Sequence, residues 1–237
     1  MIENLRVLGL IPARAGSKGL PSKNVRILRG KPLIGWTIQQ AISSKYLDSV
    51  LVSTDSEQIA SIARNYGATV PFLRPLNLAL DNSPTLDVAL HALDFFEKTS
   101  VSFDILILLE PTSPLRKTSD IDGIIENLVE KYTDFDAVVS LGEVNTHPSN
   151  MKKISGTKVI PYANEESQNF RRQDLPPVYF PFGVGYAVKV PTLRSERTFY
   201  PSRTSGYIIS REQCVEIDDL MDFIIVESLI SHVGMLN

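Results

Sequence analysis

The chain has 237 residues, 43% of them hydrophobic and 22% charged, with a formal charge of −3. That is the size and balance of one folded domain, with or without an insertion, and it excludes disorder and collagen-like repeats. A slightly acidic chain is also a poor partner for nucleic acid or a membrane surface, so any anion it binds must be held by a local cluster of cations.

Met1-Ile2-Glu3-Asn4 carries no basic-then-apolar leader, and no run approaches the ~18 apolar residues of a membrane span, so a cytoplasmic location is expected. Val7 to Ile11 is an apolar run closed by Pro12 and predicts a buried strand. Leu33 to Ser44 spaces Leu33, Ile34, Thr37, Ile38, Ala41 and Ile42 as one helical face. Val50 to Val52 is a second strand. Ser56 is placed to cap a helix running through Tyr66. Thr69 to Phe72 reads as a short third strand, and Ser83-Pro84 opens a helix with Leu86, Ala89, Leu90, Leu93 and Phe96 on one face. Ile105 to Leu109 is uniformly apolar, as a strand covered on both faces must be. A helix over Asp120 to Lys131 and a strand over Ala137 to Leu141 follow.

From about Gly142 to Phe182 the chain turns polar and loses helical periodicity, which reads as an inserted flap of short strands and loops. Alternation at Val184, Tyr186 and Val188 predicts a further strand. Val215 to Ile217 predicts a last one, before a helix to His232 that buries Leu220, Phe223, Ile224 and Ile230. The single cysteine, Cys214, permits neither an internal disulfide nor a multi-cysteine zinc site, and reads as a packed side chain. No internal repeat is present. Alternating strands and helices imply a doubly wound α/β fold with a mostly parallel sheet, a single domain over 1–237, and ligand sites beyond the strand ends.

The segment after the first strand carries the strongest chemical signal. Between Arg14 and Asn24 lie three cations (Arg14, Lys18, Lys23), two glycines (Gly16, Gly19), two serines (Ser17, Ser22) and Asn24. Glycines let backbone N–H groups approach an oxygen-rich ligand while the cations neutralise it, which is what a triphosphate requires. The spacing matches neither the Walker loop nor the dinucleotide fingerprint, so hydride transfer is disfavoured.

Arg14 to Asn24 closely resembles the signature of the acylneuraminate cytidylyltransferases, the CMP-sugar-acid synthetases. The resemblance continues through Val52-Ser53-Thr54-Asp55, Leu73-Arg74-Pro75 with Leu78-Ala79 and Asp81, and the specific run Leu109-Glu110-Pro111-Thr112-Ser113-Pro114-Leu115-Arg116. It is looser at Gly183 and at Glu216-Ile217-Asp218. It implies a nucleotidyltransferase-like fold that transfers CMP from CTP to the anomeric hydroxyl of a sugar acid and releases pyrophosphate. It implies that Arg14, Ala15, Gly16, Ser17, Lys18, Lys23 and Asn24 hold the nucleotide phosphates. Arg74 then lies near the nucleotide, with Asn82 and Ser83 at the cytosine and ribose. Arg14, Lys18, Lys23 and Asp218 carry catalysis, and Glu216 with Asp218 takes Mg²⁺, both carboxylates sharing one face of the predicted strand. Arg116 leaves two readings, a phosphate contact or a cap for the next segment. His91 and His232 read as structural, whereas His147-Pro148 falls where the family has a similar pair in its flap. No residue is singled out as a general base. The resemblance also implies a homodimer, with 143–182 as its arm.

Departures from the family cluster at the sugar. Glu110 replaces a glutamine typical of sialic acid synthetases, and Phe180-Pro181-Phe182-Gly183 replaces Arg-Pro-Asn-Gly. Arg172 matches a family arginine, and Arg171 adds a cation beside it. Glu110, Arg172, Phe180 and Phe182 are therefore the candidate sugar contacts, and a modified or amino-bearing nonulosonate is the expected substrate class. Two alternatives remain open: a cytidylyltransferase for the eight-carbon acid of lipopolysaccharide, and a catalytically silent nucleotide-binding module.

Overall fold

Apolar runs whose alternate residues face opposite sides build the sheet. The computed structural model describes residues 2–162, 171 and 175–233. The elements in chain order are β1 (Val7–Pro12), β2 (Ile27–Leu28), β3 (Lys31–Pro32), α1 (Leu33–Ile42), β4 (Ser49–Ser53), α2 (Glu57–Asn65), α3 (Thr85–Lys98), β5 (Ile105–Leu108) and α4 (Thr118–Glu130). After these come β6 (Ala137–Glu143), β7 (Lys152–Ser155), β8 (Lys158–Pro161), β9 (Tyr179–Lys189), α5 (Val190–Glu196), β10 (Thr204–Ile208) and α6 (Leu220–Val233). Six strands form the main sheet in the order β10-β6-β9-β5-β1-β4. β9 runs antiparallel to both β5 and β6, and the remaining pairings are parallel.

Val7 and Ile11 of β1 and Ile105 and Ile107 of β5 pack with Ile34, Ile38, Ile59, Ile121 and Ile124 of α1, α2 and α4. On the other face Leu8, Leu10, Leu106 and Leu108 meet Ala89, Leu93 and Leu193 of α3 and α5. Each of these valines, leucines and isoleucines contributes roughly 1.5–3 kcal/mol by leaving water. A smaller cluster of Leu20, Leu28, Leu33, Ile217, Phe223 and Val226 ties the end of the glycine-rich loop to α6. Ser56 caps α2 as expected, its side chain accepting from the Ile59 N–H.

Several expectations are corrected. Thr69 to Phe72 forms no strand, only a single bridge between Leu51 and Thr69; Pro71 has no N–H to extend it. Val215 to Ile217 is also not a strand. The Ile217 N–H donates to the Thr112 carbonyl, and the side chain fills the small cluster instead. The flap is shorter than 142–182. β6 runs on to Glu143 and β9 starts at Tyr179, pairing Gly142 with Phe180, so Phe180 and Phe182 stand on a strand. Within the flap, β7 and β8 form an antiparallel hairpin. α6 buries Phe223 and Val226 but leaves Leu220 and Ile224 half exposed. That helix is apolar nearly all round, so periodicity could not select its face. No helix among the described residues is long and apolar enough to cross a membrane.

Candidate active site

The carboxyl ends of β1 and β5 open onto a cavity of ≈ 300 Å³. Its lining includes Arg14, Gly16, Ser17, Lys23 and Asn24 from the loop after β1, and Arg74 and Ser83 from the segment before α3. Glu110, Pro111 and Thr112 from the turn after β5 complete the lining. Residues distant in sequence thus converge where parallel α/β sheets place their ligands.

The loop is held in shape by its neighbours. The Asn24 side chain donates to the Arg14 carbonyl at 3.0 Å, and the Ala15 N–H donates to Asp55 at 2.8 Å. Gly19 has no room for a Cβ, because the Asp218 carbonyl lies against it. Lys23 Nζ closes the same junction, donating to the Ile217 carbonyl at 2.8 Å and pairing with Asp218 at 3.1 Å. The loop is therefore docked onto 217–218 by its glycine and its lysine together.

Arg14 and Lys18 both meet Asp81, at 2.5 and 2.7 Å. Their hydrogen bonds, that of Lys18 foremost, hold the Asp81 carboxyl below its ordinary range. This carboxylate was not singled out from the sequence as a site residue, although it lies in the Leu78-Ala79…Asp81 motif. Lys18 is not among the lining residues and reaches the cavity only by pairing with Asp81, which is. Arg74 is buried, donating to the Ser53 hydroxyl and carbonyl. Burial pulls its pKa down to about 10. Ser83 donates to the Asn77 carbonyl, and Asn82 is exposed outside the cavity lining.

Past Glu110 the site becomes acidic. Gly183 sits between two carboxylates: a Cβ there would stand 2.6 Å from Glu110 Oε2 and 2.8 Å from Glu216 Oε1. The Gly183 N–H donates to Glu216 Oε1 at 2.6 Å, and the Ser113 hydroxyl donates to the same oxygen at 3.1 Å. Burial, then the neighbouring Glu216 charge, pushes Glu110 up to about 7; burial also raises Glu216. Above that value an ionised Glu110 opposes folding, and below the free glutamate value it does not. Glu110→Gln is therefore expected to be the more stable protein near pH 8, by on the order of 2 kcal/mol, with the advantage gone below about pH 4.3. Thermal melts of both proteins across this range check it, and a variant less stable near pH 8 would refute it.

The two aromatic candidates lie elsewhere. Phe180 and Phe182 stack edge to face at 5.1 Å, and Phe182 packs beside Gly142 and Cys214 rather than in the cavity. Tyr186 and Tyr200, not foreseen, stack at 5.9 Å within electrostatic reach of Glu110. Arg172 lies outside the described residues.

The donor set suits a divalent ion that arrives with phosphate oxygens. Among the described residues no three His, Cys, Asp or Glu side chains could hold a metal by themselves. Asp218 is exposed, and Glu216 commits Oε1 to Gly183 and Ser113, which leaves one carboxylate and one further oxygen. Mg²⁺ is commonly held by one or two carboxylates plus substrate phosphates.

Comparison with solved structures places the fold. It is similar to a CMP:2-keto-3-deoxy-manno-octonic acid synthetase complexed with CTP, with TM-score 0.69 and 18% identity over 96% of this chain and 99% of that one. It is also similar to a 4-diphosphocytidyl-2C-methyl-D-erythritol synthase of Anaerococcus prevotii, with TM-score 0.63 and 10% identity over 96% and 99%. The architecture is the α/β fold of these solved structures. The chain belongs to the cytidylyltransferase family, whose model matches residues 8–228, and it is a nucleotidyltransferase. A CMP-N,N'-diacetyllegionaminic acid synthase of Legionella pneumophila is 37% identical over 95% of this chain and 96% of its own. An N-acylneuraminate cytidylyltransferase of Streptococcus agalactiae is 36% identical over 93% of this chain, which spans about half (52%) of that longer protein. A pseudaminic acid cytidylyltransferase of Campylobacter jejuni is 27% identical over 92% and 93%.

Proposed function

We propose that the protein transfers CMP from CTP to the anomeric hydroxyl of a nine-carbon sugar acid of the diacetylated legionaminate type. The observation that carries this reading is the single cavity in which Arg14, Ser17, Lys23 and Asn24 share the lining with Glu110 to Thr112. The near-full-length likeness to a legionaminate-activating relative favours that sugar class. The anomeric oxygen forms a bond to the α-phosphorus, the bond from that phosphorus to the bridging oxygen breaks, and pyrophosphate and the hydroxyl proton leave. Arg14 and Lys18 exchange the Asp81 carboxylate for phosphate oxygens, and Lys23 adds charge beside them. Asp218 and the free oxygen of Glu216 would hold Mg²⁺, which when bound supplies charge neutralisation at the phosphates. Glu110 accepts a hydrogen bond from an amide N–H or hydroxyl of the sugar. The enzyme works in the cytoplasm, and it works as a homodimer, the assembly being supported by the exposed Ile154 and Val159 of the flap hairpin and Leu220, Met221 and Ile224 of α6.

Pyrophosphate release from CTP and Mg²⁺ across a sugar panel tests this. The panel holds diacetyllegionaminate, pseudaminate, N-acetylneuraminate and the eight-carbon acid. Release is expected to be fastest with diacetyllegionaminate. Silence with every sugar despite CTP binding would favour the silent-module alternative, and a preference for the eight-carbon acid would replace the substrate. Glu110→Gln is expected to shift the preference, and an unchanged preference would remove Glu110 from the sugar.

A further inference from the structure

Arg116 ends the Pro-Thr-Ser-Pro-Leu-Arg run as a charged side chain almost out of reach of water, 2% exposed. Burying a guanidinium costs several kcal/mol unless its donors are met. Here they are met by neutral oxygens. Nη2 donates to the carbonyls of Glu110 at 2.8 Å and Gly183 at 2.6 Å, Nε donates to the Val184 carbonyl, and Nη1 donates to Thr37 Oγ1 at 3.2 Å. Among the described residues no carboxylate lies within ion-pair distance of it, and it does not line the nucleotide cavity. It is thus neither a phosphate contact nor a simple cap.

The three carbonyls belong to the two backbone segments that face each other beyond β5, namely Glu110 and Gly183–Val184. One planar fork spans both. Gly183 in turn donates its N–H to Glu216 and is boxed in by the Glu110 and Glu216 carboxylates. Moving this one peptide unit would disturb both carboxylates, because the Gly183 N–H holds Glu216 Oε1 at 2.6 Å and the Glu110 N–H donates to the Gly183 carbonyl at 3.1 Å. The buried positive charge also opposes the mutual repulsion of the pair.

We propose that Arg116 is a positioning residue for the sugar-acid half of the reaction: through the backbone of Glu110, Gly183 and Val184 it sets where Glu110 and Glu216 present their carboxylates, and it takes no part in binding CTP. This rests on the transfer reading above.

The test uses the full chain with Arg116→Lys and Arg116→Met. Lysine keeps the charge but is a single point donor that cannot span three carbonyls. CTP affinity is measured by calorimetry without sugar, kcat and KM by pyrophosphate release, and amide hydrogen exchange at residues 110, 112, 113 and 183–186. In Arg116→Lys, kcat/KM for the sugar acid should fall about 10–100-fold, the loss a misplaced site incurs. CTP affinity should stay within about twofold, and exchange should quicken at Gly183 and Val184 but not along Arg14–Asn24. A parallel loss of CTP affinity, an unchanged sugar kcat/KM, or full rescue of it by lysine would overturn the proposal. If Arg116→Met does not fold, Arg116→Lys decides. If the wild-type chain releases no pyrophosphate with any sugar, the transfer reading fails. Hydrogen exchange then judges the backbone clamp alone: faster exchange confined to the two segments supports it, and uniform acceleration overturns it.

Discussion

Lys23→Met is expected to lower kcat for pyrophosphate release by about 10²–10³-fold, the loss that follows removal of one preorganised donor from a site of developing charge. Lys23 opens a short 3-10 turn, Lys23–Val25, and lines the cavity beside Arg14 and Asn24. Its ammonium is fixed between the Ile217 carbonyl and Asp218, with only 14% of the side chain exposed. It therefore needs little reorganisation when phosphate charge develops. Methionine keeps the length and apolar stem of the lysine, so the cluster beneath the loop stays filled. The melting temperature should fall modestly, because the Ile217 carbonyl and Asp218 lose their lysine, while kcat drops far more, and steady-state kinetics beside a thermal melt would establish both. A loss under about tenfold would mean that Lys23 serves only to dock the loop.

Asp136→Ala should cost about 3–5 kcal/mol of stability, the usual result of breaking a buried ion pair from one side. Asp136 takes Lys189 Nζ at 3.0 Å and two bonds from Arg203 at 2.7 and 2.8 Å. The Lys189 side chain is 10% exposed, so alanine would leave its charge with only the Tyr132 carbonyl and ring for company. The hydrogen bonds from Arg203 come first among the causes holding the Asp136 carboxyl well below the usual range. Its stabilising effect is complete above the free aspartate value near 4 and is lost as pH falls toward the native value. Urea unfolding at several pH values should show the gap between wild type and variant closing below about pH 4. Asp136 stands at the start of β6, at the opposite end of the sheet from the cavity. The folded variant should therefore keep its kcat. A loss under about 1 kcal/mol would show that water compensates Lys189.

Much of the site was legible because it is local. The glycines and cations of Arg14 to Asn24 sit in one loop, and their chemistry follows from composition and from position after an apolar strand. The core strands were legible for a related reason: Ile105 to Leu109 has no polar residue to offer water. The acidic end was not legible as an arrangement. Glu110, Gly183 and Glu216 meet only because β9 inserts antiparallel between β5 and β6, and no local pattern records that pairing. Arg74 reads in the sequence as a neighbour of the nucleotide and Arg116 as a phosphate contact or a cap, and neither reading shows that both are buried, because the carbonyls and hydroxyls that accept their donors come from other segments.

Residue order by itself determined an α/β chain with a phosphate-suited loop after its first strand, because apolar periodicity and local glycine and cation density act within a few residues. The tertiary structure alone decided which charges answer each other. It paired Arg14 and Lys18 with Asp81, Lys23 with Asp218, and Glu110 with Glu216 across Gly183. Those choices depend on distances of a few ångströms between segments tens to hundreds of residues apart, and electrostatic and hydrogen-bond energies are set at that range.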